Sequence, residues 1–70
     1  MVFDVFGRRV TVLRLGDRWD ASYGGTDGKR RPATDIVIPS ELQEDEIERY
    51  LADLCHEWAS SSAPDVRRVG

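Results

Sequence analysis

A fifteen-residue run from Glu44 to Trp58 constrains the fold of this chain more than any other stretch. Its apolar residues recur at intervals of three and four: Ile47, Tyr50, Leu51, Leu54, Cys55 and Trp58. That spacing lines one face of an α-helix. We therefore predict an amphipathic helix here, with Leu51 and Leu54 in its buried stripe, packed on whatever the preceding residues form.

Two starting points for this helix are compatible with the sequence. In one, Ser40 is the N-cap and Gln43 completes a capping box. In the other, Gln43 is the cap, Glu46 stands at the third helical position, and Leu42 packs against Ile47 as a hydrophobic staple. The two differ in whether residues 40–42 form an extra turn.

The stretch before the helix alternates short β-rich runs with glycine-containing turns. The β-rich runs are residues 2–6, 10–15, 19–23 and 35–38, and the first turn is predicted at residues 7–9. Asp27-Gly28 favours a two-residue hairpin turn, so Lys29-Arg30-Arg31 should begin a returning strand. Pro32 lacks an N–H donor and confines that strand to a sheet edge.

These elements predict a small α+β fold, in which an antiparallel β-meander of three to four strands precedes one C-terminal amphipathic helix packed on one sheet face. Residues 1–59 form this single ββββα domain. Residues 60–70 are expected to be a mobile tail, because the serines after Trp58 compete with helical hydrogen bonds, Pro64 disfavours helix before it, and no core pattern follows.

One helix can cover only one face of such a sheet. We expect one apolar set to lie beneath the helix: Phe3, Val5, Leu13 and Leu15. The other set would lie on the opposite face, uncovered: Val2, Phe6, Val10 and Val12. A contiguous exposed apolar patch usually marks an interface. The sequence therefore favours a non-enzymatic protein-interaction module, a homodimer or an adaptor for a larger protein, with the second set as its partner-binding residues.

The alternative function is nucleic-acid binding through the basic hairpin at residues 28–31, with Lys29, Arg30 and Arg31 as the contacts. Residues 1–34 hold seven basic and four acidic residues, a charge of +3, and Trp19 and Tyr23 could stack on bases. Arg8, Arg9, Arg14 and Arg18 could extend one basic sheet surface. The whole chain has a net charge of −3, whereas nucleic-acid-binding domains are usually basic.

Several kinds of chemistry are disfavoured by the residues present. One cysteine permits no intrachain disulfide, and one histidine excludes the H-E-x-x-H zinc site that His56-Glu57 begins. Cys55 lies on the apolar stripe and is interpreted as a core residue. Residues 24–30 lack the residues of a phosphate-binding P-loop. We expect no enzyme, cofactor, metal ion or small-molecule substrate.

The expected location is the cytoplasm. Asp4, Arg8 and Arg9 interrupt the first apolar run before it could form a signal peptide. No run approaches the roughly 18–20 apolar residues of a membrane span. Short stretches such as Asp-Val-Phe-Gly-Arg and Gly-Lys-Arg-Arg-Pro resemble those of small bacterial proteins, and this resemblance implies no activity.

Overall fold

A computed structural model describes residues 1–24 and 31–70 of the chain. Its elements, in chain order, are strands β1 (Val2–Val5), β2 (Arg8–Leu15), β3 (Arg18–Tyr23) and β4 (Arg31–Pro32), helix α1 (Ile47–Leu54) and strand β5 (Val66–Arg68). Single 3-10 turns, Glu44–Glu46 and His56–Trp58, flank α1. The predicted Asp27-Gly28 turn lies outside the described residues. Within the described residues, no helix is both long enough and apolar enough to cross a membrane.

The five strands form one antiparallel sheet in the order β4-β3-β2-β1-β5. Helix α1 packs on one face of this sheet, where it contacts β1 and β5. The predicted fold class, an antiparallel sheet with one helix on one face, is confirmed. The face that α1 covers is called the inner face below, and the opposite face the outer face.

The turn between β1 and β2 sets the register of the sheet. It contains two residues, Phe6 and Gly7, with φ angles of 50° and 88°. Positive φ at both central residues is the signature of a type I′ hairpin turn, whose twist matches that of the flanking strands. The turn aligns Phe3 with Val10 and Val5 with Arg8.

This register corrects the predicted assignment of side chains to faces. Phe3, Val5, Val10 and Val12 all lie in the buried core. Leu13 and Leu15, expected beneath the helix, are 38% and 44% exposed. The predicted three-residue turn at Gly7–Arg9 would pair Val5 with Thr11 in place of Arg8, and a register shift by an odd number of residues moves every side chain to the other face. The expectation that Val10 and Val12 lie on an uncovered face was therefore wrong.

The helical run begins at the second of the two predicted positions. The Gln43 backbone N–H donates to Glu46 Oε1 at 2.7 Å, which is the reciprocal half of a capping box. Ile47, Leu51 and Cys55, spaced four apart, are buried. Leu54 is 43% exposed, so its predicted place in the core was wrong.

The connection from β4 to the helix completes the core. Ala33, Ile36 and Ile38 are buried. The strand that the sequence predicted at residues 35–38 does not form. The Ala33 N–H donates to the Ala21 carbonyl at 3.0 Å, and the Tyr50 hydroxyl donates to the Val37 carbonyl. These bonds hold the connection against β3 and α1.

The C-terminal residues differ from the predicted mobile tail. Val66–Arg68 form β5, with Val66 opposite Val5 and Arg68 opposite Phe3. Arg68 also pairs with Glu44 at 2.9 Å. A three-residue strand is too short to show a period in the sequence, and it forms because β1 offers an open edge of unpaired backbone groups.

The first prediction compares two leucines of the same helix. Leu51→Ala removes a fully buried side chain and should lower the free energy of unfolding by about 2–5 kcal/mol. Leu54→Ala removes a half-exposed side chain and should cost about 1 kcal/mol or less. Urea denaturation of both variants measures the difference, and an equal loss would contradict the observed helix face.

The second prediction concerns the turn that sets the register. Gly7 and Gly16 both have positive φ, 88° and 64°, so Ala at either position should cost about 1–2 kcal/mol. A Cβ at Gly7 would also lie 3.3 Å from Ala63 Cβ, whereas one at Gly16 meets nothing within 4 Å. Gly7→Ala should therefore have the lower urea midpoint, and equal midpoints would show that the Ala63 contact is unimportant.

Candidate functional site

The outer face of the sheet carries exposed apolar side chains. Leu13 and Leu15 alternate with Arg14 along β2 and therefore point away from α1. Val2, opposite Thr11, lies on the same face and is half-buried. We call Val2, Leu13 and Leu15 the outer apolar patch. Charged residues of both signs share this face: Asp4, Arg9, Arg18, Asp20 and Arg67.

The four residues predicted to bind a partner do not share a surface. Val10 and Val12 are core residues, and Val2 belongs to the outer apolar patch. Phe6 lies in the β1–β2 turn, where its side chain is half-buried against the core. Only Val2 of the predicted set lies on the uncovered face of the sheet.

The predicted nucleic-acid contacts are only partly described. Lys29 and Arg30 lie outside the described residues. Arg31 begins β4, opposite Tyr23. Of the two predicted stacking residues, Trp19 donates its indole N–H to the Leu42 carbonyl at 3.0 Å and is covered by the Arg14 guanidinium at 4.8 Å. Tyr23 instead faces a cleft.

This cleft lies at the end of the sheet where β2 begins and β3 ends. It measures about 460 Å³ and is lined by Arg8, Arg9, Tyr23, Gly24 and Arg31. We call it the basic cleft. Its backbone is held by two hydrogen bonds of 3.0 Å, from the Gly24 N–H to the Arg9 carbonyl and from Thr11 Oγ1 to the Gly24 carbonyl.

Two aromatic rings form a wall beside the basic cleft. The ring centroids of Tyr23 and Trp58 are 6.2 Å apart, with 43° between the planes. The Arg8 guanidinium carbon lies 4.2 Å from the Trp58 ring centroid, a cation–π contact. This contact fixes the direction of a long side chain that would otherwise be free.

Tyr23 is anchored by a carboxylate. Its hydroxyl donates to both oxygens of Asp35, each at 2.7 Å. Burial, followed by the hydrogen bond to Asp35, raises the pKa of Tyr23 to about 12. The phenol therefore stays neutral at physiological pH and remains a hydrogen-bond donor.

The cysteine and the histidine do not form a nucleophile–base pair. Cys55 is buried in the core, and burial raises the pKa of its thiol, which disfavours the reactive thiolate. His56 is exposed, with Nδ1 3.1 Å from the Asp53 carbonyl. Among residues 1–24 and 31–70, no three His, Cys, Asp or Glu side chains are grouped so as to hold a metal ion.

The sequence predicted that Arg8 and Arg9 extend the basic surface of the 28–31 hairpin, and the structure places them beside Arg31 in a cleft. In a meander, the β1–β2 and β3–β4 connections lie at the same end of the sheet. Arg8 and Arg9 follow the first connection, and Arg31 follows the second. The shared location of these three arginines was therefore predictable from topology. The expected single surface with Arg14 and Arg18 does not form, because those two lie at the other end of β2 and β3.

The fold and this surface define a small α+β protein, with one helix on a five-stranded antiparallel sheet and a basic cleft at one sheet end. The chain belongs to the family described as domain of unknown function DUF7661, whose model matches residues 1–70. No curated protein and no solved structure matches the chain.

The third prediction follows from the raised pKa of Tyr23. Because the folded-state pKa is about 12 and the ordinary value is 10.0, the neutral phenol stabilises the fold below pH 10. That contribution is lost as pH rises from about 10 to about 12. The stability difference between wild type and Tyr23→Phe, from urea denaturation at pH 8 to 12, should therefore shrink over this range.

A matched control for this experiment is Tyr50→Phe, which leaves the Tyr23–Asp35 pair intact. It should lose stability between about pH 10 and 12 as the wild type does. A constant difference between wild type and Tyr23→Phe across that range would contradict the assigned cause.

Proposed function

We propose that this chain is a non-enzymatic protein-interaction module that associates with a second copy of itself through the outer face of its sheet. The observation that carries the proposal is the pair of exposed leucines on β2. Leu13 and Leu15 are 38% and 44% exposed on the face that α1 does not cover. Burying each leucine fully is worth about 1.5–3 kcal/mol, so a partner that covers the remaining surface gains part of that free energy.

The charges around the outer apolar patch suit a second copy. In the described part of the chain, the face presents two acidic residues, Asp4 and Asp20, and three basic ones, Arg9, Arg18 and Arg67. In a two-fold dimer the same patch meets itself, so each copy supplies both signs to the other. A surface with charges of a single sign would repel a second copy of itself. This surface carries both signs and avoids that repulsion.

The size of the face fits a weak dimer. The strands contain 23 residues, which at about 3.4 Å by 4.8 Å each give a face of roughly 375 Å². Two copies would then bury roughly 750 Å², less than the roughly 1,000 Å² of a stable specific interface. We therefore expect dissociation at low protein concentration rather than a permanent dimer.

The non-enzymatic part of the proposal rests on the reactive groups. The neutral Cys55 side chain is buried, whereas His56 is exposed. The two side chains lie in different environments, so neither activates the other. A cytoplasmic location belongs to the same proposal, because a reduced core thiol suits a reducing compartment.

The fourth prediction tests the face with matched leucines. Leu13→Lys should shift sedimentation equilibrium to the monomer mass across a hundredfold concentration range, because it places a charge in the contact. Leu54→Lys introduces the same side chain at a residue 43% exposed on the helix, and should leave the dimer intact. Both positions are exposed, so both variants should fold.

Two outcomes would contradict self-association through this face. One is a strictly monomeric wild type at every concentration. The other is a dimer that Leu54→Lys dissociates and Leu13→Lys does not, which would place the contact on the helix side.

A further inference from the structure

Within the described residues, three guanidinium groups line the basic cleft, and of these Arg9 also lies on the outer face. Arg8, Arg9 and Arg31 line it and are exposed. Among residues 1–24 and 31–70, the one ion pair is between Arg68 and Glu44, so no described carboxylate is within ion-pair distance of these three groups. Asp4 stands opposite Arg9 on the outer face, and Asp35 accepts the Tyr23 hydroxyl. Grouped arginines repel one another, and an anion bound between them relieves that repulsion.

The positions of the three arginines are set by the fold. Arg8 and Arg9 are the first residues of β2, and Arg31 is the first of β4. Because successive strand residues point to opposite faces, Arg8 and Arg9 reach the sheet end from either side. Arg8 is also held over the Trp58 ring at 4.2 Å, so part of its ordering cost is met before any ligand binds.

The chemistry of the cleft favours phosphate. The planar guanidinium matches phosphate oxygens with two parallel hydrogen bonds, which makes arginine the preferred residue for such anions. Tyr23 lines the cleft beside the arginines, and an aromatic ring of this kind can stack on a nucleic-acid base. An opening of about 460 Å³ lies within the usual range of small-molecule sites.

The distribution of charge limits where such a ligand could bind. The acidic first turn of the helix, Glu44, Asp45 and Glu46, lies away from the cleft, because Glu44 pairs with Arg68 beside the start of β1. The carboxylate at the cleft wall, Asp35, accepts the Tyr23 hydroxyl. With a net charge of −3, the chain as a whole repels polyanions, so binding must be local.

We propose that the basic cleft binds the phosphate group of a nucleotide, free or within a single strand of nucleic acid, with the base against the Tyr23 ring. Arg8, Arg9 and Arg31 bind the phosphate. Tyr23, held by Asp35, lines the cleft, whereas Trp58 is covered by Arg8 and supports Tyr23 from behind. Arg9 also lies on the outer face of the sheet, but the site does not include the outer apolar patch and does not require the dimer.

The test is fluorescence anisotropy with labelled ten-nucleotide single strands of DNA and RNA, from 20 to 200 mM salt. Three phosphate contacts predict that log K falls with log salt at a slope of about −2. The triple variant Arg8→Gln, Arg9→Gln, Arg31→Gln should bind at least tenfold more weakly at 20 mM salt, with a slope near zero.

The matched control is the triple variant Arg14→Gln, Arg18→Gln, Arg49→Gln. It removes the same charge from three other exposed arginines, one of which, Arg14, also covers a tryptophan. It should bind within twofold of wild type. If the cleft triple variant does not fold, the single variants Arg9→Gln and Arg31→Gln replace it, each reducing the slope by about 0.7.

Competition with AMP, ATP and inorganic phosphate separates the two sources of phosphate. Displacement of the labelled strand by mononucleotides indicates a free nucleotide, and binding of strands alone indicates nucleic acid. In a Trp19→Phe background Trp58 is the only tryptophan, so its emission should change on binding.

Three results would overturn the proposal. These are no binding of strand or mononucleotide at 20 mM salt, an equal loss in the two triple variants, and displacement of the strand by a glutamate decapeptide at lower concentration than by ATP. The last would identify an acidic peptide as the ligand.

Discussion

The two-residue turn at Phe6-Gly7 is the constraint on which the rest of the structure depends. It aligns Phe3 with Val10 and thereby places the apolar residues of β1 and β2 on a single face, where α1 covers them. A turn one residue longer would move Val10 and Val12 to the outer face. The same alignment exposes Leu13 and Leu15 and brings Arg8 and Arg9 to the sheet end. Both proposed surfaces are therefore consequences of one turn.

The turn is maintained by contacts around a strained residue. Phe6 has a φ of 50°, which is uncommon for a bulky side chain and costs of order 1–3 kcal/mol. Its ring packs against the core, and its N–H donates to the Asp65 carbonyl at 3.2 Å. The segment that leads into β5 thus supports the turn as well as the free edge of β1. The exposed Arg68–Glu44 pair adds at most about 1 kcal/mol to this arrangement.

The sequence predicted the parts of this fold that have a strong local period. The helical stripe around Leu51 and the alternation in β3 were enough for the fold class. They were not enough to predict the register of β1 against β2. The true turn contains a phenylalanine at positive φ, which the sequence does not indicate, whereas Gly7-Arg8-Arg9 looks like a turn. Strand β5 forms because it pairs with β1. Its three residues are too few to show an alternation of apolar and polar residues that would predict a strand. Prediction of the basic cleft requires knowledge of which strand ends lie together in the sheet. The spacing of residues along the chain does not give that information directly.

The most direct test of the central claim is the register of β1 against β2 in solution. The Val12 N–H donates to the Met1 carbonyl at 2.8 Å, so alternate pairs are hydrogen-bonded and the pairs between them, Asp4 with Arg9 and Val2 with Thr11, are not. The Cα atoms of such non-hydrogen-bonded pairs approach to about 4.5 Å. Nuclear Overhauser spectroscopy should therefore show strong Hα–Hα contacts between Asp4 and Arg9 and between Val2 and Thr11. Contacts between Val5 and Thr11 and between Phe3 and Leu13 would instead establish the three-residue turn and contradict the account.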